Sequence, residues 1–241
     1  MVQEKSKNDV TCPTCKLSEL CLPFGLHKDD VARLATIVKT RLPIQAEQML
    51  YSQGREGLCL YAIKSGCFRN FITNADGVEQ TIGFYLPGEL LGLDALQHGR
   101  YTCSSVALET AAVCELPLTR LHALCGQIPS LQIQMMRVLG KEIGSDHDKI
   151  ILLGHRSAKA RLATFLYMLS QRYTALGFSS TQFNLPMPRH DIANFLGLTI
   201  ETVSRQLASL SLQGIITVKQ RGIQIDDLAL LKSLVNTCNA G

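Results

Sequence analysis

The pattern of the chain changes at about residue 129, where short segments between turns give way to helical spacing. Before that point, turn signals recur at residues 54–57, 65–66, 74–77, 87–88 and 98–99. The strand-like segments between them cover residues 59–63, 68–73, 80–85, 103–108 and 111–116. Turns at intervals of about 8–12 residues are typical of a sandwich or a barrel. We therefore expect an all-β domain over residues 43–117, with a hairpin turn at residues 74–77.

Helices are predicted on both sides of this β domain. Residues 26–41 place Val31, Leu34, Ala35, Val38 and Leu42 on one face, at spacings of three and four. Within residues 129–155, the same alternation of spacings produces a heptad seam. The seam consists of Met136, Leu139, Ile143, Asp146, Ile150 and Leu153.

The seam has two interpretations, packing on its own domain or pairing with its copy about a two-fold axis. Pairing explains more of the pattern, so we expect a homodimer. In a parallel pair the two Asp146 carboxylates would face each other, and their repulsion at close contact is about 1 kcal/mol in water. Asp146 would therefore keep the dimer close to dissociation.

The sequence shows neither a membrane-spanning segment nor a secretion signal. No apolar segment approaches the ~18–20 residues of a membrane span, and residues 1–11 lack the apolar core of a secretion signal. We expect a cytoplasmic protein with no membrane partner. In that compartment the nine cysteines are reduced thiols or metal ligands rather than disulfides.

The segment from Arg189 to Leu207 predicts a helix-turn-helix. Ala193 is small where the two helices cross, Gly197 tolerates the positive φ of the turn, and Val203 is an apolar anchor on the second helix. Thr199 can cap that helix, because its hydroxyl can accept a free backbone N–H.

The surface of this helix pair suggests contact with nucleic acid. Residues 151–241 contain nine Lys and Arg against four Asp and Glu, whereas residues 1–150 contain 15 and 16. Glu201, Ser204 and Arg205 can reach base edges in a major groove, although an ordinary solvated surface is the alternative. Residues 215–225 predict a hairpin with a basic tip at Lys219 and Arg221, placed to rest on phosphates.

Three cysteines close to the N-terminus suggest a metal site. Cys12, Cys15 and Cys21 lie within ten residues, and thiolates suit zinc, copper(I) or iron–sulfur clusters. A four-coordinate site needs one more ligand. From spacing alone, Cys103 and Cys114 of the β domain are both candidates.

In this order, the parts of the chain resemble the Crp/Fnr family of bacterial transcription regulators, and most closely its Fnr branch of oxygen-responsive iron–sulfur regulators. The resemblance covers nearly the whole chain from Cys12 onward. It rests on Cys12-x2-Cys15-x5-Cys21-Leu-Pro, Leu60-Tyr-Ala-Ile-Lys-Ser-Gly66, Glu109-Thr-Ala-Ala-Val-Cys114-Glu-Leu-Pro117 and Glu201-Thr-Val-Ser-Arg205.

The resemblance implies an α+β protein with an N-terminal β-roll of the cyclic-nucleotide-binding, jelly-roll type, a long dimerisation helix and a C-terminal winged helix-turn-helix. It implies a [4Fe–4S] cluster held by Cys12, Cys15, Cys21 and Cys114. The expected domains are a cysteine-rich segment (1–25), a β-roll sensor (26–128), the dimerisation helix (129–155) and the DNA-binding domain (156–241).

The implied function is an oxygen sensor that regulates transcription. With oxygen absent, the cluster would favour a homodimer that binds a palindromic DNA site with TTGAT-type half-sites. Oxygen would dismantle the cluster and inactivate the protein. The residues carried over for DNA binding are Arg189, Thr199, Glu201, Ser204 and Arg205. The turn around Asp76, Gly77 and Val78 would contact RNA polymerase.

The chain departs from the family pattern in two places. Cyclic-nucleotide members grip the ligand phosphate with an Arg-Ser pair, and Thr102-Cys103 stands there instead, so we expect no cyclic AMP site. Where the family often has a Ser or Thr cap on the first helix of the DNA motif, Pro188 precedes Arg189 and suits a first-turn position.

Two alternatives to the iron–sulfur sensor remain. One is a regulator that responds to zinc or to a small ligand. The other is an iron–sulfur electron carrier, which would need neither a helix-turn-helix nor a basic C-terminal third. The sequence contains no recognisable nucleophile–base pair, so we expect no enzyme.

Overall fold

The computed structural model describes residues 12–40, 43–154 and 157–236. Its described residues form two compact units, one within residues 1–73 and 84–141 and the other within residues 74–83 and 142–241. Both units contain helices and strands, which confirms the predicted α+β class. In the described ranges, no helix is both long and apolar enough to span a membrane.

The β region is built from two four-stranded sheets, with orders β1-β8-β3-β6 and β2-β7-β4-β5. The strands are β1 (Lys39–Thr40), β2 (Met49–Tyr51), β3 (Cys59–Ser65), β4 (Phe68–Thr73), β5 (Glu79–Tyr85), β6 (Leu90–Leu91), β7 (Ser104–Ala107) and β8 (Ala112–Pro117). The five strands predicted from sequence are present with shifts of one or two residues at their ends. The three very short strands β1, β2 and β6 were not predicted.

The hairpin turn at residues 74–77 is confirmed. The amide of Gly77 donates to the carbonyl of Asn74, and the Asn74 side chain accepts from the amides of Asp76 and Val78. Gly77 has φ +79°, which favours glycine because a Cβ is strained there. Val78 follows with its side chain exposed.

The first unit also contains three helices: α1 (Lys28–Ile37), α2 (Ala95–His98) and α3 (Leu118–Cys125). Helix α1 is shorter than the predicted 26–41, because Val38 is extended and Lys39 begins strand β1. Leu34 and Ile37 of α1 are buried in one core with Leu22, Leu60 and residues of α3. Arg41 and Leu42 lie outside the described residues.

Helix α4 runs from Pro129 to Gly154. One face of its first half is apolar and buried, with Leu131 inside the core of the first unit and Met135 and Val138 packed against it. The predicted seam lies on another face. Met136, Ile143, Ile150 and Leu153 are exposed there, Leu139 is half-buried and Asp146 is exposed.

The second unit contains the predicted winged helix-turn-helix. Its elements are α5 (Ala158–Ala175), β9 (Gln182–Asn184), α6 (Arg189–Leu196), α7 (Ile200–Leu212), β10 (Ile216–Lys219), β11 (Gly222–Ile225) and α8 (Leu228–Asn236). The hairpin β10–β11 was predicted, whereas β9, which completes a sheet of order β10-β11-β9, was not. Ser157 caps α5 by accepting from the amide of Ala160. The sequence His155-Arg156-Ser157 predicts a hinge before α5, and His155 and Arg156 lie outside the described residues.

Candidate cysteine site and nucleic-acid interface

The structure brings four of the cysteines to one cavity of about 390 Å³ in the first unit. Cys12 begins a short 3-10 helix (Cys12–Thr14), Cys15 and Cys21 follow in consecutive turns, and Cys114 lies on strand β8. The apolar walls are contributed by the N-terminal segment, helix α1 and strands β3 and β8. They include Leu17, Leu22, Pro23, Leu34, Ala35, Val38, Ala62, Ile63 and Leu116.

Strand pairing explains how Cys114 faces this cavity. On β8, Cys114 is opposite Ala62 of β3 on one side and Thr40 of β1 on the other. Directly opposed residues point to the same face of a sheet, and all three line the cavity. The unpredicted strand β1 therefore connects helix α1 to the edge of the sheet beside Cys114.

Burial disfavours the ionised form of three of these thiols. The pKa of Cys21 is raised to about 12 and that of Cys12 to about 11, mainly by burial and in smaller part by the neighbouring cysteines. The pKa of Cys114 is also raised by burial, and the ammonium of Lys64, which lines the same cavity, partly offsets that rise. A bound metal group would favour the thiolates and release protons.

The chemistry of the donor set indicates which group these residues would suit. Across the residues that the structure describes, no three side chains of His, Cys, Asp or Glu are arranged to hold a single metal ion. The four cysteines instead surround a cavity, and four cysteine thiolates are the usual ligands of a [4Fe–4S] cluster. The donor set and the cavity that it lines therefore suit such a cluster.

Cys103, the rival fourth ligand, lies elsewhere. It is buried, and its Sγ is 4.0 Å from the hydroxyl of Tyr51 and 3.7 Å from Oδ2 of Asp94. The carboxylate of Asp94 also accepts from the amides of Thr102 and Cys103. An internal carboxylate thus lies against the Thr102-Cys103 segment, where it would repel a ligand phosphate. The absence of a cyclic AMP site stays a prediction.

In the second unit, the helix-turn-helix has the geometry predicted from its sequence. Ala193 and Val203 are buried at the contact of α6 with α7, and Gly197 adopts φ +61° at the turn. Thr199 is the N-cap of α7 and accepts from the amide of Thr202. Pro188 occupies the N-cap position of α6 rather than its first turn, and its carbonyl accepts from the amides of Asp191 and Ile192.

The polar side chains of the two helices support one another. Arg189 donates to the hydroxyl of Ser204 at 3.0 Å, and Arg205 donates to the hydroxyl of Thr202 at 3.3 Å. The pKa of the exposed Glu201 is lowered by its backbone amide and by the Thr199 hydroxyl, so its carboxylate is an ionised acceptor. The helix pair therefore offers both hydrogen-bond donors and acceptors on its surface.

Comparison with known proteins identifies the family. A family model of the Crp-like helix-turn-helix domain matches residues 160–234, and one of the cyclic nucleotide-binding domain matches residues 41–127. The anaerobic regulatory protein of Aggregatibacter actinomycetemcomitans is 42% identical over 228 residues, which is 95% of this chain and 89% of that protein. The chain belongs to the Crp/Fnr family of transcription regulators, in its Fnr branch.

Other members of the Crp/Fnr family give the same result. The fumarate and nitrate reduction regulatory protein of Escherichia coli K12 is 42% identical over 93% of this chain and 90% of that protein. Among solved structures, FixK2 from Bradyrhizobium japonicum has a TM-score of 0.74 and 27% identity, and the match covers 82% of this chain and 97% of that one. The chain is therefore an anaerobic transcription regulator rather than an enzyme, and the electron-carrier interpretation is set aside.

Proposed function

We propose that this member of the Crp/Fnr family is a cytoplasmic, oxygen-responsive transcription regulator whose sensor is a [4Fe–4S] cluster. The observation that carries the proposal is the single cavity lined by Cys12, Cys15, Cys21 and Cys114. When bound, such a cluster supplies a centre that oxygen can oxidise and dismantle.

Through a shared cluster, the four cysteines would then link the N-terminal segment to the sheet, and this link is called the cysteine tie. Cys12, Cys15 and Cys21 belong to one short segment, whereas Cys114 lies about a hundred residues away on β8. Ligands shared by one group hold these parts together, and loss of the group releases them. Leu22, next to Cys21, shares a core with Leu131 of α4, so the tie acts close to the start of that helix.

We propose that the exposed seam of α4 forms the homodimer. It presents Met136, Ile143, Ile150 and Leu153 to solvent, together with the half-buried Leu139. A row of exposed apolar residues marks an interaction surface, and a two-fold pair of chains is the commonest way to cover one. The exposed Asp146 lies in the middle of this row.

The dimer would present two copies of α7 to a palindromic site, one helical turn of DNA apart. Arg205 would contact guanine, Glu201 would accept from cytosine and Ser204 would contact a further base edge. Arg189 and Thr199 hold this surface in place. By carry-over from the family, the half-site is of the TTGAT type.

A second protein contact is proposed at the hairpin turn around Asp76, Gly77 and Val78. The turn is ordered by the Asn74 side chain and carries an exposed valine at its end. Its proposed partner is RNA polymerase, as for the corresponding turn in the family.

The test is metal analysis of the full chain purified without oxygen. We expect about four iron and four acid-labile sulfide per chain, with a visible absorption that is lost or rearranged in air. Cys114→Ser should abolish the cluster, whereas the matched variant Cys103→Ser should retain it. Zinc in place of iron, or an air-stable dimer without metal, would contradict the sensor while leaving DNA binding intact.

A further inference from the structure

Helix α4 contains a buried glutamine on a face that is otherwise apolar. Gln134 is only 6% exposed. It lies between Leu131 and Val138, which both belong to the packing of the first unit's core. A side-chain amide offers two donors and one acceptor oxygen, and burial without hydrogen bonds is unfavourable. Its presence in this face therefore calls for an explanation.

The hydrogen bonding of Gln134 is incomplete. Its Nε2 donates to the carbonyl of Cys21 at 3.5 Å, at the outer limit of a hydrogen bond. Its Oε1 is fully buried and has no hydrogen-bond partner among the residues that the structure describes. Unsatisfied buried acceptors are uncommon in folded proteins, and each calls for an explanation.

The contact between Gln134 and Cys21 joins the N-terminal cysteine segment to helix α4, which carries the seam. Cys21 is the last cysteine of the N-terminal segment and lines the cavity. Gln134 lies two residues before Met136, the first residue of the seam. Two further contacts join helix α1 to the start of α4 and to the residues just before it. Ser130 of α4 donates to Asp30 of α1 at 3.3 Å, and Arg33 of α1 donates to Gln127 at 2.6 Å.

We infer that Gln134 is the residue through which the position of Cys21 is transmitted to helix α4. The inference rests on the proposed function, since it assumes that Cys21 changes position when its thiolate joins a cluster. In this structure the hydrogen bond from Nε2 of Gln134 to the Cys21 carbonyl is long, so it stabilises this packing of α4 only weakly. A move of the Cys21 backbone that shortens this hydrogen bond stabilises α4 in the arrangement that dimerises.

Gln134→Met tests this directly, because methionine has a similar length and no polar atoms. We expect the variant to raise the Tm of the metal-free chain by at least about 2 °C, since it removes an unsatisfied buried amide. We also expect it to reduce the effect of cluster loading on dimerisation. The ratio of dimer dissociation constants, metal-free over loaded, should fall by about fivefold or more.

Gln132→Met is the matched control, because Gln132 is on the same helix but exposed. It should change neither the Tm nor the ratio. Dissociation constants are measured by sedimentation without oxygen, on loaded and metal-free chains of wild type and both variants. Iron and sulfide are determined first in the wild type, so that absence of a cluster counts against the proposed function and not against Gln134.

Three results would overturn the inference. One is a Gln134→Met variant whose ratio of metal-free to loaded dissociation constants equals that of the wild type, when the wild type has been shown to contain the cluster. Another is an equal change in Gln132→Met. The third is a lower Tm in both Gln134→Met and a second variant, Gln134→Leu, which would make the glutamine an ordinary stabilising residue.

Discussion

At the scale of single residues, Arg205 is the side chain of α7 that we propose contacts a guanine. Its guanidinium is exposed and oriented by Thr202. Arg205→Ala should cost about 1–3 kcal/mol of discrimination at the contacted guanine and relax the preference there. Competition binding with single-base variants of the half-site measures this. An unchanged preference at every position would remove Arg205 from the reading surface.

Lys219, in the β10–β11 hairpin, allows phosphate contact to be compared with the base contact proposed for Arg205. It is exposed at the end of β10, where we expect contact with phosphate rather than with bases. Lys219→Ala should weaken binding about equally for all sequences and reduce the salt dependence by about one phosphate contact. The two substitutions therefore separate base reading from backbone positioning.

Two of the proposed cysteine ligands should be recognisable in the metal-free chain by slow alkylation. Cys12 and Cys21 have pKa values of about 11 and 12, so their thiolate fractions at pH 8 are far below that of a free thiol. Peptide mapping after iodoacetamide treatment should show rates that rise only as the pH approaches those values. Denatured chain should react with the pKa of an ordinary thiol, and equal rates in both states would contradict the burial argument.

Lys64 allows the electrostatic part of this site to be tested separately. Its ammonium partly offsets the effect of burial on the pKa of Cys114. Lys64→Met should therefore raise that pKa and slow alkylation of Cys114 at pH 8. Lys39→Met removes the same charge at a position that does not line the cavity, and it should leave the rate unchanged.

Which cysteines share a site could be predicted only in part from the sequence. Cys12, Cys15 and Cys21 are recognisable because they are adjacent. Spacing alone left Cys114 and Cys103 equivalent, since nothing local shows which face of a strand meets the N-terminal segment. The pairing of Cys114 with both Ala62 and Thr40 separates them in the structure. The contact of Gln134 with Cys21 could not be predicted from the sequence either, because it depends on tertiary packing.

At the scale of elements, the turn of the helix-turn-helix depends on backbone conformation. Gly197 is at φ +61°, a region in which a Cβ is strained. Gly197→Ala should lower the free energy of unfolding by about 1 kcal/mol. Gly140→Ala, at a helical glycine of α4 with open space around it, should instead raise it by about 0.5–1 kcal/mol. Chemical denaturation measures both, and equal effects would contradict the argument.

The seam of α4 includes an ion pair that sequence patterning did not reveal. Lys149 lies 2.9 Å from Asp146 and 3.6 Å from Glu142 on the same helix. The repulsion expected between two Asp146 carboxylates across a dimer is therefore partly neutralised within each chain. Heptad spacing predicts the seam positions, but Lys149 is next to the seam residue Ile150 and not itself a seam position. The spacing therefore does not predict the ion pair.

Two substitutions should move the dimer in opposite directions. Asp146→Ala removes the like charge and should strengthen dimerisation about fivefold, corresponding to about 1 kcal/mol of repulsion. Lys149→Met leaves the Asp146 charge without its nearby cation and should weaken dimerisation. Asp148→Ala, which is exposed and off the seam, controls for helix propensity. Sedimentation in air measures all three, and an Asp146→Ala variant that stays monomeric would contradict the repulsion.

At the scale of the whole molecule, the longer strands and several helices follow from local pattern, whereas the contacts between these elements do not. Turn spacing predicts the five longer strands, and helical periodicity predicts α4 and the helix-turn-helix. The strands β1, β2 and β6 have only two or three residues and exist because a partner strand is present. One of them, β1, brings α1 to the cysteine cavity. One wall of the cysteine cavity therefore depends on a strand that local pattern does not predict.

If the cysteine site controls DNA binding through dimerisation, a substitution that strengthens the dimer should override one that disrupts the cysteine site. Cys114→Ser should reduce binding to the palindrome without oxygen by at least about tenfold, a typical size for coupling between sites. Adding Asp146→Ala should restore binding, because the seam then closes without the cysteine tie. Binding of the double variant should no longer respond to air.

A third substitution checks that restored binding uses the same DNA surface. Arg205→Ala in the double variant should remove the sequence preference again, since α7 would still be the reading helix. Gel-shift titrations with a palindrome and with a single half-site distinguish dimer from monomer binding. If Cys114→Ser with Asp146→Ala binds as weakly as Cys114→Ser alone, the cysteine site acts on α7 by a route other than the seam, and the proposed control through dimerisation is wrong.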